Sequence, residues 1–220
     1  SLDGPAELRE YLINQLTRTL PKLHFLTTIS INSSETSLAT GVILKLFSGF
    51  KNMQNLSDLT LVLQSQPIKN FKEPIPQGLS LLDPSRIRRI SLQQHQYFDN
   101  NCLIRLSQAL RSFTSLHTFQ VSLPFFEASQ EEGAASLIST LSSLISLKSL
   151  TILFNSNDSK RIVPGISAPF KDFKNLVNLK LQFLGFPSPA DDAEIQKLFT
   201  NFRDFKSLRF FSISYPQKTL

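Results

Sequence analysis

A period of about thirty residues runs the length of this chain and leaves few folds open to it. Leu26, Leu56, Ile87, Leu116, Leu147, Leu176 and Leu208 stand 30, 31, 29, 31, 29 and 32 residues apart. Taking each as position 0 of a unit, position +3 holds Ile29, Leu59, Ile90, Phe119, Leu150, Leu179 and Phe211. Position +5 holds Ile31, Leu61, Leu92, Val121, Ile152, Leu181 and Ile213, and position −6 holds Leu20, Phe50, Leu81, Leu110, Leu141, Phe170 and Phe202. All 28 places in these four columns are apolar in a chain that is 41% hydrophobic, so coincidence is excluded. Nineteen Phe with no Trp suggest that Phe replaces Leu as the bulky core residue.

The spacing of the columns sets the local structure. Positions +3 and +5 lie on one face of a strand, and position 0 rounds the corner into it. Further back, positions −13, −10, −6 and −3 step by three, four and three, which is one face of an α-helix. The clearest copy is Glu131 to Phe154, EEGAASLISTLSSLISLKSLTILF, read as one helix, a short connector and one strand.

Helices are predicted over about Pro5–Thr19, from Ser33–Thr36 to near Gly49, from Asp99–Asn101 to about Arg111, and from Glu131. A short or broken one is expected over Val163–Phe173, and another from Ser188 to near Asn201. Between Gln66 and Pro84, the prolines at 67, 74, 76 and 84 predict an extended or 3₁₀ segment. A strand–helix repeat of constant hand gives a parallel sheet with helices on one side. Seven copies make a solenoid whose core is supplied by stacking, so a single domain over residues 1–220 is expected.

The pattern Leu147-x-x-Leu150-x-Ile152, with Gly133, Ala134, Leu137, Leu141 and Leu144 before it, resembles leucine-rich repeats of the ribonuclease-inhibitor-like class. The resemblance spans about residues 8–215 and implies an α/β horseshoe, with a curved parallel sheet on the concave side and helices on the convex side. That family carries Asn or Cys at position +8, where the side chain bonds the turn leaving the strand. Here the column reads Ser34, Gln64, His95, Pro124, Asn155, Leu184 and Pro216, so only Asn155 keeps it. Irregular turns are expected after the strands.

Little in the chain points to catalysis. One cysteine, Cys102, allows no intrachain disulfide framework, and His24, His95 and His117 have no metal-ligand spacing. Phosphate-cradling glycine loops and nucleophile elbows are absent; Pro164-Gly165-Ile166-Ser167 lacks the second glycine. Asp191, Asp192 and Glu194 read as acids complementing the positive end of a helix. No enzyme activity, metal or cofactor is therefore expected. The opening SLDGPAEL is no signal peptide, and no apolar run reaches the roughly 20 residues of a membrane span. An intracellular protein, cytoplasmic or nuclear, is expected. The missing initial Met suggests a processed or excised chain, and the seventh strand, close to Leu220, suggests a longer native chain or a partner capping that edge.

Positions +1, +2, +4 and +6 should point away from the helices. They present Arg88, Arg89, Lys148, Lys180 and Arg209 against one acid, Asp58. The +1 column alone carries Arg88, His117, Lys148 and Arg209, and Phe210 is the aromatic of the face. The net charge of +6 accords with an acidic partner. The resemblance implies a protein-interaction scaffold that binds a protein or peptide on this face, and the outward-facing columns nominate Arg88, Arg89, His117, Lys148, Lys180, Arg209 and Phe210 for it. The alternative is nucleic acid, RNA in particular, laid across the basic stripe. A specialised site is expected beside the proline-rich third and sixth units.

Overall fold

The computed structural model describes residues 6–33, 40–63, 74–94, 98–124, 131–155, 169–184, 196, 199, 200, 202 and 205–214. Seven strands, β1 (Thr28–Ser33), β2 (Asp58–Leu63), β3 (Arg89–Gln94), β4 (Thr118–Pro124), β5 (Ser149–Asn155), β6 (Asn178–Leu184) and β7 (Phe210–Ser214), form one sheet in sequence order. Every neighbouring pair is parallel, and the register joins equivalent unit positions throughout: Ile29 to Leu59, Leu59 to Ile90, and on to Leu179 with Phe211. The seven units of the sequence are therefore seven steps of one curved α/β solenoid. Five helices with described bounds accompany them among the described residues: α1 (Ala6–Thr19), α2 (Thr40–Phe50), α3 (Pro74–Leu79), α4 (Asn100–Leu110) and α5 (Glu131–Ser143). A 3₁₀ turn, Leu20–Lys22, continues α1.

Alternation along each strand separates core from surface. Leu59, Ile90, Phe119, Leu150 and Leu179 at +3 are buried, as are Leu61, Leu92, Val121, Ile152 and Leu181 at +5. They meet the helix columns, where Leu103, Leu106, Leu110 and Phe113 in the fourth unit and Ala134, Leu137, Leu141 and Leu144 in the fifth are all buried. Phe does take the bulky core places: Phe47, Phe50, Phe113, Phe119, Phe154, Phe170 and Phe183 are wholly enclosed. Equivalent Phe residues also touch from unit to unit. Phe154 and Phe183 stack at 5.2 Å, while Phe170 with Phe202 (5.7 Å) and Phe173 with Phe205 (6.3 Å) meet edge to face, the geometry the aromatic quadrupole favours.

The third unit differs from expectation. Its proline-rich segment forms a short α-helix, α3, rather than an extended or 3₁₀ stretch. Pro74 and Pro76 both fall in the first turn, where backbone N–H groups have no partner within the helix, so no bond is lost. Pro74, Ile75, Pro76, Gly78, Leu79 and Leu82 are buried, while Gln77 is exposed and Leu81 half-buried, so the core face is displaced along the chain. Gly78 permits the close approach of α3 to α2, since a Cβ there would collide with the ring of Phe47.

Helix α4 begins as predicted. Asp99 caps it, its Oδ1 accepting from the Cys102 N–H at 2.6 Å. The predicted helix starts at Ser34–Thr36 and at Ser188–Glu194, and the segment 163–168, lie outside the described residues.

Candidate functional site: the concave face and its rim

The turn entering each strand is built the same way in every unit. The +1 carbonyl accepts two backbone N–H groups, those at +1 and +2 of the next unit. Thr27 O takes Ser57 and Asp58 (2.8 and 3.0 Å), Ser57 O takes Arg88 and Arg89 (2.8 and 3.0 Å), and Arg88 O takes His117 and Thr118 (2.8 and 3.0 Å). The series continues through His117, Lys148 and Val177 to Arg209 and Phe210. This doubly bonded backbone holds the +1 side chains in a row at the strand spacing, about 4.8 Å per step.

Side chains at −1 add a second set of bonds between units. The amide of Asn55 donates to the carbonyl of His24, that of Asn175 to Ile145 O (3.1 Å), and the hydroxyl of Ser207 to Lys174 O (3.1 Å). Each joins position −1 of one unit to position −2 of the unit before. Polar stitching therefore occurs where the chain enters the strand, in a solenoid whose +8 column keeps a single Asn. Nothing in the +8 column announces it; the signal was the recurrence of Asn and Ser at −1 (Asn55, Ser115, Ser146, Asn175, Ser207).

Seven residues were singled out from the sequence, and all seven side chains are exposed. Arg88, His117 and Lys148 occupy three consecutive steps of the +1 row. Arg209 follows two steps later, past the half-buried Val177. The Nδ1–H of His117 donates to the carbonyl of Ser115 (2.6 Å), which orients the ring. Lys180 stands on β6 in the next row, and Phe210 on the edge strand β7, 68% exposed.

Arg89 behaves differently from the rest. Its Nε lies 3.2 Å from Oδ1 of Asp58 on the neighbouring strand, and the Ser57 hydroxyl donates to the other carboxylate oxygen at 2.6 Å. The one acid of the face is thus engaged by Arg89. No described ion pair takes Arg88, Lys148, Lys180 or Arg209.

Beside Arg88, the entry turns of the first three units enclose an open groove of about 540 Å³. Phe25, Thr27, Asn55, Ser57, Arg86 and Arg88 contribute to its walls. Phe25 is 95% exposed. At the groove's edge Asp83 accepts from the Ser85 hydroxyl (2.6 Å) and the Ser85 N–H (3.1 Å), and pairs with Arg86 at 2.9 Å. The Ser85 hydroxyl first, then its N–H, with Arg86 adding to them, hold the Asp83 carboxyl below its ordinary range. The groove borders the third unit, one of the two places where a specialised site was expected. In the sixth unit the proline-containing residues 163–168 lie outside the described residues.

Among the described residues no three His, Cys, Asp or Glu side chains converge as a metal site would require. Cys102 is half-buried in the first turn of α4. His24 is exposed, and His95 and the acids 191, 192 and 194 lie outside the described residues. No helix among them is long and apolar enough to cross a membrane.

Register, repeat and face together define a leucine-rich-repeat-like solenoid with an open concave surface. No protein-family model matches the chain, and no curated protein matches it significantly. Among solved structures it aligns with leiomodin-1 actin-binding site 2 at 8% identity and a TM-score of 0.48, over 91% of this chain and 90% of that one. It also aligns with the C-terminal domain of Caenorhabditis elegans tropomodulin at 13% identity and a TM-score of 0.45, over 87% of this chain and 92% of that one.

Proposed function

We propose that the chain is a non-enzymatic interaction module of the ribonuclease-inhibitor-like class, one domain over residues 1–220, that binds a protein or peptide through its concave strand face. The observation that supports this most is the row Arg88, His117 and Lys148, continued by Arg209. These exposed side chains sit on a backbone bonded at every step, and no described acid pairs with the three long cations. A regular row of charge on a fixed backbone suits an extended acidic partner, because the spacing of the cations is set before binding and the charges complement one another. Solenoids present extended concave surfaces of this kind. The site residues are Arg88, His117, Lys148, Lys180, Arg209 and Phe210; Arg89 contributes less charge, being paired with Asp58.

RNA on the same stripe is the second reading, supported by the same cations. Phe210 alone offers an aromatic platform on the strand face, which disfavours single-strand stacking. The test is capture of binding partners by the wild type beside the Arg88→Glu, Lys148→Glu, Arg209→Glu triple variant. Proteins lost only with the variant, and retained after nuclease treatment, support the proposal. Unchanged capture by the variant refutes the concave site. Loss after nuclease treatment, with affinity falling steeply in salt, transfers the site to RNA.

A further inference from the structure

The strand face and its entry rim are chemically different surfaces. Positions +2, +4 and +6 of the central strands carry mainly Ser, Thr, Gln and Asn, with Arg89 spent on Asp58 and Lys180 alone in its row. The rim, positions −2, −1 and +1, carries Arg86, Arg88, Lys148, Lys174, Lys206 and Arg209 and not one Asp or Glu. The two acids that adjoin it at the groove are already matched, Asp58 by Arg89 and Asp83 by Arg86. Arg88, on the groove wall, has no such match among the described residues.

Two large apolar side chains also stand out on this rim. Phe25, at −1 of the first unit, is 95% exposed, and Ile145, at −2 of the fifth, is 72% exposed. A lone exposed apolar residue is ordinary. Here both lie on the line of the cations, with Arg86 and Arg88 two steps from Phe25, His117 at the third step and Lys148 at the fourth, beside Ile145. Four strand steps of about 4.8 Å separate the anchors by about 19 Å, which an extended chain covers in about six residues.

We infer that the rim, rather than the strand face, is the docking line, and that its occupant is an extended acidic peptide segment. That segment carries two apolar side chains about six residues apart, one seated in the groove beside Phe25 and one against Ile145, with carboxylates between them facing Arg88 and Lys148. This rests on the protein-binding reading above and gives it a location and a partner chemistry. Apolar anchors supply the affinity, while exposed charge pairs set direction and register.

The experiment is fluorescence anisotropy with a labelled synthetic peptide of about seven residues, leucine at both ends and glutamate at alternate places between. Binding is expected to fall about tenfold with Phe25→Ser and with Arg88→Glu, tenfold being an ordinary loss for an interface anchor. It is also expected to fall when the glutamates are replaced by glutamine or the leucines by alanine, and to be unmoved by Gln182→Glu and Gln120→Glu on the strand face. Phe25 and Arg88 are exposed, so both variants keep the core intact. Binding that responds to Gln182→Glu and Gln120→Glu but not to the rim variants overturns the rim and puts the segment on the strand face instead. No saturation by wild type up to about 1 mM peptide overturns the rim. The concave-face reading is then decided by its triple variant.

Discussion

Replacing Gly133 by alanine tests whether successive helices are packed as closely as the solenoid requires. Gly133 lies in the first turn of α5, buried against α4, and its N–H donates to Oδ1 of Asn100 at 2.6 Å. A Cβ there would lie 2.7 Å from the backbone oxygen of Asn100, 2.7 Å from Cβ of Leu103 and 2.8 Å from Asn100 Oδ1. The Asn100 amide could rotate away; the backbone oxygen and the Cβ of a fully buried leucine could not. Restoring a van der Waals separation near 3.5 Å requires α4 and α5 to part by about 0.8 Å.

Overpacking of this kind costs about 1–3 kcal/mol, and weakening the Asn100 bond costs about 1 kcal/mol more. Alanine's greater helix propensity returns about 1 kcal/mol. The net is a destabilisation of about 1–3 kcal/mol, or about 3–10 °C in melting temperature for a chain of this size. Gly41→Ala is the internal control. Gly41 lies on α2 with nothing within 4 Å of the added Cβ, so only the propensity gain acts, and its melting temperature should rise slightly. Thermal melts of the two variants followed by circular dichroism decide the matter. A Gly133→Ala protein that melts at or above wild type refutes the close α4–α5 contact.

Asn175→Ala removes the bond to Ile145 O and leaves an exposed carbonyl for water to satisfy, so a loss of about 0.5–1.5 kcal/mol in urea denaturation is expected; no loss would deny that the −1 stitch holds units together. Asp83 should make stability depend on pH in one direction. Its native carboxyl is held below the ordinary range, so its contribution is complete above the unfolded value and is lost as pH falls through the lowered native one. The stability gap between wild type and Asp83→Ala should therefore be constant from neutral pH to about pH 5 and shrink below about pH 4, and a gap that widens in acid contradicts this. A double-mutant cycle on Arg89→Gln and Asp58→Asn should give a coupling below about 1 kcal/mol, because both partners touch solvent. A larger value would show that the pair is shielded from water.

Much of the fold is legible in the amino-acid sequence because a repeat states each rule several times over. The +3 and +5 columns place the core face of every strand, and the strands pair in that register because a shift by one residue would turn Leu59 or Ile90 outward. The first and seventh units illustrate the limit of the column argument. Phe211 at +3 is 37% exposed and Leu16 at −10 is 39% exposed, since the described residues place a neighbouring unit on one side only of each. The third unit escaped for another reason. Proline reads as a helix breaker in a sequence, but its effect depends on where the helix begins, and α3 begins at Pro74 itself.

What the sequence determined alone, then, is the unit, its count and which strand positions face the core, because burial follows side-chain period. Only the tertiary structure decided which surface groups meet. Arg89 and Asp58 are 31 residues apart in sequence, and Phe25 belongs to no apolar column and gave no sign of sharing a groove with Arg88. Such pairings depend on distances across the sheet and on the turn that aims each side chain. Those quantities exist only once the units are stacked.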